Sequence, residues 1–231
     1  MRPGPLPPHR PAAGGEADPD GPDGPGAGGS LTFGALLCSY ALGLPLGVLL
    51  TLTAPGGMWR RKRLHALLGT ITDVGRSVPF LILMLALIPF TRLVAGTTIG
   101  PRAALVPLVA GAAPFVARLV ESALAQVDPN LVESARAWGA TPLQTAWRVL
   151  LPEAAPALVR GLAITGVTLT AYSAMAGAVG AGGLGDIAIR YGYHRYEYGV
   201  MMATLVLLIL FVQLLQGVCA LVARRMEERV L

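Results

Sequence analysis

Residues 31–54, LTFGALLCSYALGLPLGVLLTLTA, run for 24 positions without a charged side chain. As a helix rising about 1.5 Å per residue, such a run crosses a ~30 Å hydrocarbon core. Pro45 inside it is compatible with a membrane helix, where neighbouring groups satisfy the carbonyl that proline leaves free. Pro55-Gly56-Gly57 ends the run, and Trp59-Arg60-Arg61-Lys62-Arg63 follows at once. Working outward, comparable apolar runs recur at residues 77–93, 103–124, 158–179 and 198–222. The pattern predicts an all-α polytopic membrane protein with five transmembrane helices.

Composition agrees. Of 231 residues, 54% are hydrophobic and only 13% charged, about half the ~25% charged content of an ordinary soluble domain. Disorder is excluded over most of the length. Cys38 and Cys219, the only cysteines, both sit in apolar runs, which excludes a secreted disulfide scaffold. The net charge of +5 could suggest nucleic acid. The basic residues, however, are nearly all arginines lying singly at the ends of apolar runs, a pattern of membrane topology and not of a phosphate-binding face. Residues 1–30 stand apart: Pro and Gly dominate, and Leu6 is the single large aliphatic residue. They read as a disordered tail ahead of a membrane domain at 31–231. No apolar h-region follows Arg2 and Arg10, so they do not read as a signal peptide.

Basic residues also set the orientation. Arg60, Arg61, Lys62 and Arg63 mark the first loop as cytoplasmic. Alternation then puts residues 94–101 outside, 125–156 inside, 181–197 outside and the C-terminus inside. Arg136, Arg148, Arg224, Arg225 and Arg229 fall on the inner side of this scheme. The expected arrangement is therefore multi-pass, with the N-terminus outside and the C-terminus inside.

The third loop carries the most local information. Asp128-Pro129 reads as an N-cap followed by a first-turn proline, with Asn130 an alternative cap whose N3 position would hold Glu133. Leu131, Ala135 and Trp138 form an apolar stripe, and Gly139 supplies a helix stop in the left-handed conformation. Thr141-Pro142-Leu143-Gln144 is a capping box that starts a second helix. Leu143, Ala146, Trp147 and Leu150 make its expected apolar face, and Pro152 is expected to interrupt it. A loop that merely joined two spans would not need two capped helices; the bland alternative is an amphipathic hairpin lying on the lipid.

Across this loop runs an acidic-small-small triplet, Glu133-Ser134-Ala135, then Gly139, then Val149-Leu150-Leu151-Pro152. The spacing resembles the Glu-Ala-Ala loop of bacterial ABC import permeases, with Ser134 and Val149 as conservative departures. Longer runs narrow the resemblance. Arg76-Ser77-Val78-Pro79-Phe80, Ile88-Pro89-Phe90-Thr91-Arg92, Gly139-Ala140-Thr141-Pro142, the glycine-rich stretch from Ser173 to Gly185, and Tyr191-Gly192-Tyr193 look like the permeases of methionine importers. These belong to the binding-protein-dependent transport inner-membrane components. The match extends from about Gly43 to the C-terminus, whereas residues 1–30 do not resemble the short amphipathic opening usual in the family.

The resemblance implies a transport subunit and not an enzyme. Its coupling loop would comprise Glu133, Ser134, Ala135, Trp138, Gly139, Ala140, Thr141, Leu151 and Pro152. Implied partners are an ABC ATPase subunit that binds ATP and Mg, an extracytoplasmic substrate-binding lipoprotein, a second copy of the chain in a homodimer, and the bilayer, with no nucleic acid. The implied substrate is methionine, D-methionine included. A same-family permease for another small amino acid or related metabolite, and a membrane scaffold without transport, stay open as alternatives.

Other motifs weigh less. Gly180, Gly182 and Gly185 match the dinucleotide pattern G-x-G-x-x-G, but they follow a membrane span where that site needs a β-strand. Close backbone approach is the better reading, with a flexible extracytoplasmic turn as the bland alternative. Lys62 is the only lysine and lacks the glycine-rich context of a phosphate loop, so the chain itself is expected to bind no cofactor. His9, His65 and His194 are scattered, and no metal site is expected. Asp73 with Arg76, and Arg118 with Glu121, stand at spacings for local ion pairs. Tyr172, Ser173 and Met175 break the fourth run with polar and polarizable groups. They are candidates to line a translocation path for a thioether substrate; ordinary helix packing accounts for them equally well.

Overall fold

A computed structural model of the chain describes residues 25–59 and 61–228. In order along the chain, α1 spans Pro25–Thr53 and α2 Lys62–Ser77, followed by α3 (Phe80–Ala86) and α4 (Ile88–Ala95). Next, α5 covers Pro101–Leu124, α6 Pro129–Ala137 and α7 Pro142–Thr145. A π-turn at Ala146–Leu150 leads into α8 (Leu151–Glu153), and the long α9 runs over Ala155–Gly177. Finally α10 (Gly183–Ile187) passes through a second π-turn at Ala188–Tyr193 towards α11, Tyr198–Glu227.

Four of these helices are long and apolar enough to cross a membrane: Gly29–Thr53 within α1, then α5, α9 and α11. They answer to four of the five expected spans. The remaining one, residues 77–93, is not a continuous helix. It divides into α3 and α4 at Leu87, because Pro89 in the first turn of α4 has no N–H to offer a preceding carbonyl. Upstream, α2 meets α3 at 102°, after Val78 turns extended ahead of Pro79. The second crossing is therefore assembled from pieces. Residues 1–24 of the expected tail lie outside the described residues, and residues 25–30 are already part of α1.

Contacts fix the directions of the helices. Gly34, Gly43 and Gly47 of α1 lie against Leu105, Val116 and Val120 of α5 respectively, so α1 and α5 run parallel. The return path between them is α2 to α4, which climbs α5 in reverse: Gly69 faces Arg118, Gly75 faces Pro114, and Phe80 and Leu83 lie beside Gly111. Helix α9 is antiparallel to α5, with Gly161 near Leu119 and Gly111 near Tyr172. It is antiparallel to α11 as well. The start of α1 and the end of α11 accordingly lie at opposite ends of the bundle.

Packing of α1 on α5 is close because Gly43 and Gly47 are four apart on one face. A Cβ at Gly43 would stand 2.6 Å from Val116 Cβ, and one at Gly47 2.6 Å from the Ala117 carbonyl oxygen. Small residues at this spacing let helix backbones approach where lipid offers no hydrophobic driving force. Two core clusters result. One joins Leu31, Leu36, Phe80, Leu108 and Leu169; the other joins Val48, Leu52, Val116, Val120 and Leu124 with Ala146, Leu150 and Ala154 of the third loop.

Candidate functional site

The loop between α5 and α9 is built almost wholly from local hydrogen bonds. Asp128 caps α6 by accepting from the Asn130 N–H at 2.9 Å, and Pro129 takes the first helical position, where a missing donor costs nothing. At the other end the Gly139 N–H donates to the Arg136 carbonyl (2.9 Å) and the Ala140 N–H to the Ala135 carbonyl (3.0 Å). With Gly139 at φ +77°, this is a Schellman stop. Thr141 and Gln144 then satisfy each other reciprocally: the Gln144 N–H donates to Thr141 Oγ1 at 3.3 Å and the Thr141 N–H to Gln144 Oε1 at 2.9 Å.

Pro152 does not interrupt the second helix as expected. The π-turn at Ala146–Leu150 widens the helix ahead of it, and the chain stays helical through Glu153 before breaking at Ala154. Widening relieves the clash between the proline ring and the carbonyl one turn back. The expected apolar face of Leu143, Ala146, Trp147 and Leu150 also divides. Thr145, Ala146 and Leu150 are buried against the end of α5, whereas Leu143 and Trp147 point outward. So does Trp138, 90% exposed, beside the 63% of Trp147. Leu131, Glu133, Ser134, Gly139, Thr141 and Pro152 are exposed as well, while Ala135, Ala140 and Leu151 are half-buried. Helix α6 buries no residue at all. The loop is thus rooted by Thr145, Ala146 and Leu150, while Trp138, Trp147, Leu131, Leu143 and Glu133 are exposed.

Beside this root, the two expected ion pairs merge into one network. Arg76 pairs with Asp73 at 3.3 Å, and Arg118 with Glu121 at 2.6 Å. Arg118 also grips both oxygens of Asp73, at 3.1 and 2.7 Å, and donates to the Gly69 carbonyl at 3.0 Å, tying α2 to α5. A further pair, Arg160 with Glu227, joins the root of α9 to the end of α11. It borders a cleft of about 590 Å³ whose lining includes Asp128, Glu153 and Arg160. Sequence inspection missed this pair, and also Asp186–Arg190 at 2.6 Å. The i,i+4 spacing of the second was a readable signal; the first offered none.

At the opposite end of the bundle the glycine-rich run forms a buried turn. Gly180, Gly182 and Gly183 all take positive φ, and Gly185 lies so close that a Cβ there would run into the Ala174 carbonyl of α9. The glycines serve helix contact, α10 against α9. The path candidates do not share a surface within the chain. Tyr172 stacks on Phe80 with centroids 4.4 Å apart, Ser173 is buried, and Met175 is 49% exposed.

A bundle of parallel and antiparallel helices, four of them long and apolar enough to cross a membrane, is the architecture of a polytopic membrane protein. The model of the binding-protein-dependent transport system inner membrane component family matches residues 43–228, and the chain belongs to that family. It is a transport subunit, not an enzyme. The chain is 54% identical over 190 residues to a probable D-methionine transport system permease protein, MetI, of Vibrio cholerae, covering 82% of this chain and 84% of that protein. It is 50% identical over 148 residues to the D-methionine permease MetI of Escherichia coli K12, covering 64% and 68%. A solved inward-facing structure of the MetNI methionine ABC transporter superposes with a TM-score of 0.85 at 48% identity, over 86% of this chain and 92% of that one. An amino acid ABC transporter at 21% identity shares the fold, with a TM-score of 0.70 over 86% and 90% of the two chains.

Proposed function

We propose that this chain is the membrane permease of an ATP-driven importer of methionine, D-methionine included, working as a homodimer in a bacterial inner membrane with its N-terminus outside and C-terminus inside. The observation that carries the reading is the rigid loop from Asp128 to Pro152, with Trp138 and Trp147 exposed on it, in a chain whose relatives are named D-methionine permeases. An ABC ATPase subunit takes up this surface and holds the ATP and Mg.

The loop transmits force because it is stiff and rooted at both ends. Both its helices are capped, and Ala146, Leu150 and Ala154 pack against Val120 and Leu124. When ATP binding draws the two ATPase subunits together, the loop moves as a body. The motion passes through α8 and the break at Ala154 into α9. The spans then open outward to receive substrate from an extracytoplasmic binding protein, and hydrolysis resets them. Glu133, Ser134, Ala135, Gly139, Ala140, Thr141, Leu151 and Pro152 shape the coupling surface. Tyr172, Ser173 and Met175 are the path candidates, with Met175 exposed where a second copy or substrate can meet it.

The test is binding-protein-dependent uptake of labelled methionine into proteoliposomes holding this chain with its partner ATPase. ATP-driven accumulation of methionine is expected. Uptake of a different small amino acid instead would keep the mechanism and discard the substrate. No association with the ATPase would overturn the coupling role of the loop.

A further inference from the structure

The densest run of one charge sign in the chain, Arg60-Arg61-Lys62-Arg63, has no acidic residue near it in sequence: none lies between Asp23 and Asp73. Elsewhere Arg76, Arg118, Arg160 and Arg190 are each held by a carboxylate. Arg61, Lys62 and Arg63 are exposed and, among the described residues, pair with none. The positions are nonetheless fixed. The Trp59 N–H donates to the Leu52 carbonyl at 2.9 Å, and His65 Nδ1 lies 3.1 Å from the Leu50 carbonyl. The junction is folded back on the end of α1, at the level where that apolar span stops. From the cluster, Leu64, Leu67, Ile71 and Val74 run exposed along α2, while Gly69 and Thr72 face the bundle. Cations at the edge of a span, with an apolar stripe leading into the hydrocarbon, match the two halves of one lipid molecule.

We propose that the α1–α2 junction is a headgroup site for anionic phospholipid, held by Arg61, Lys62 and Arg63, with the acyl chains lying along Leu64, Leu67 and Ile71. Guanidinium groups take phosphate oxygens two at a time, and each basic side chain near an anionic surface favours it roughly fivefold. Trp59, exposed beside the cluster, sits at the depth where indole rings anchor in the interface. The site is independent of the substrate carried.

Trp59 provides the probe. The full chain, with Trp138→Phe and Trp147→Phe, is reconstituted in phosphatidylcholine vesicles containing equal fractions of brominated phosphatidylglycerol or brominated phosphatidylcholine. Bromine quenches tryptophan on contact. Severalfold stronger quenching by the anionic lipid is expected. The preference should shrink when salt rises from about 0.1 M to about 1 M, as the Debye length falls from ~10 Å to ~3 Å. Joint Arg61→Gln, Lys62→Gln and Arg63→Gln should equalise the two lipids, with Arg61→Lys and Arg63→Lys retaining part of the preference. Equal quenching in the parent, or a preference that survives the triple change, overturns the site. Loss of the preference on adding inorganic phosphate at matched ionic strength would mean a free-phosphate site instead. Absence of quenching by either lipid would mean that protein, such as a second copy, covers the junction.

Discussion

Arg118 Nη2 lies 2.7 Å from Asp73 Oδ2 while its Nε reaches Oδ1 at 3.1 Å, so one guanidinium forks onto one carboxylate and clamps α5 to α2. The same side chain holds Glu121 at 2.6 Å. It therefore ties α2, the first piece of the broken second crossing, to the helix that leads into the capped third loop.

Arg118→Ala leaves Glu121 without its cation and Asp73 with Arg76 alone, and is expected to destabilise the folded chain by about 1.5–3 kcal/mol, the scale of hydrogen bonds to charged groups. Arg118→Lys keeps the charge but loses the fork and should recover only part. The midpoint of thermal unfolding in detergent ranks the three proteins; an alanine variant as stable as the parent removes the clamp.

Gly139→Val should insert and fold but uncouple ATP hydrolysis from uptake. A side chain at φ +77° costs roughly 1–2 kcal/mol in the left-handed region, more for a branched one, and the helix stop would shift. Gly139→Asn, tolerant of that region, should stay coupled. The ratio of methionine transported to ATP hydrolysed is the readout, and normal coupling in the valine variant refutes the geometry.

Trp138→Ala and Trp147→Ala should leave thermal stability within about 0.5 kcal/mol of the parent, because both side chains are mostly exposed. Each should weaken ATPase binding by about 30-fold, the scale of an interface hot spot. Titrating labelled ATPase onto detergent-solubilised permease measures this. Unchanged affinity in both variants would move the docking surface elsewhere.

Gly47→Ala should cost about 1–3 kcal/mol by overpacking, since its Cβ would meet the Ala117 carbonyl at 2.6 Å on an opposed helix. Gly56→Ala, with nothing within 4 Å, should be neutral. Chemical denaturation of the pair in matched micelles checks the contrast; equal losses would mean that α1 and α5 are not held at this separation.

Part of the architecture was legible because its causes are local. Four of the spans follow from long, mostly apolar runs, and the caps at Asp128, Gly139 and Thr141 follow from bonds that close within a few residues. The break in the second crossing was also written locally, in Pro79 and Pro89, but summed hydropathy over 77–93 hides it. The outward turn of Trp147 was not legible, since Ala146 and Leu150 beside it are equally apolar and only the position of α5 decides which side is covered.

By itself the sequence determined that the chain is a helical membrane protein and where its helices are capped, and it carried the family resemblance, because hydropathy, capping and motif spacing are properties of neighbouring residues. Tertiary structure alone decided that Asp73 pairs with Arg118 across 45 positions and Arg160 with Glu227 across 67. It also decided that α1 and α5 run parallel at glycine distance, and which tryptophans face outward. Such pairings depend on which helix lies beside which, and that is set by the packing of the whole bundle.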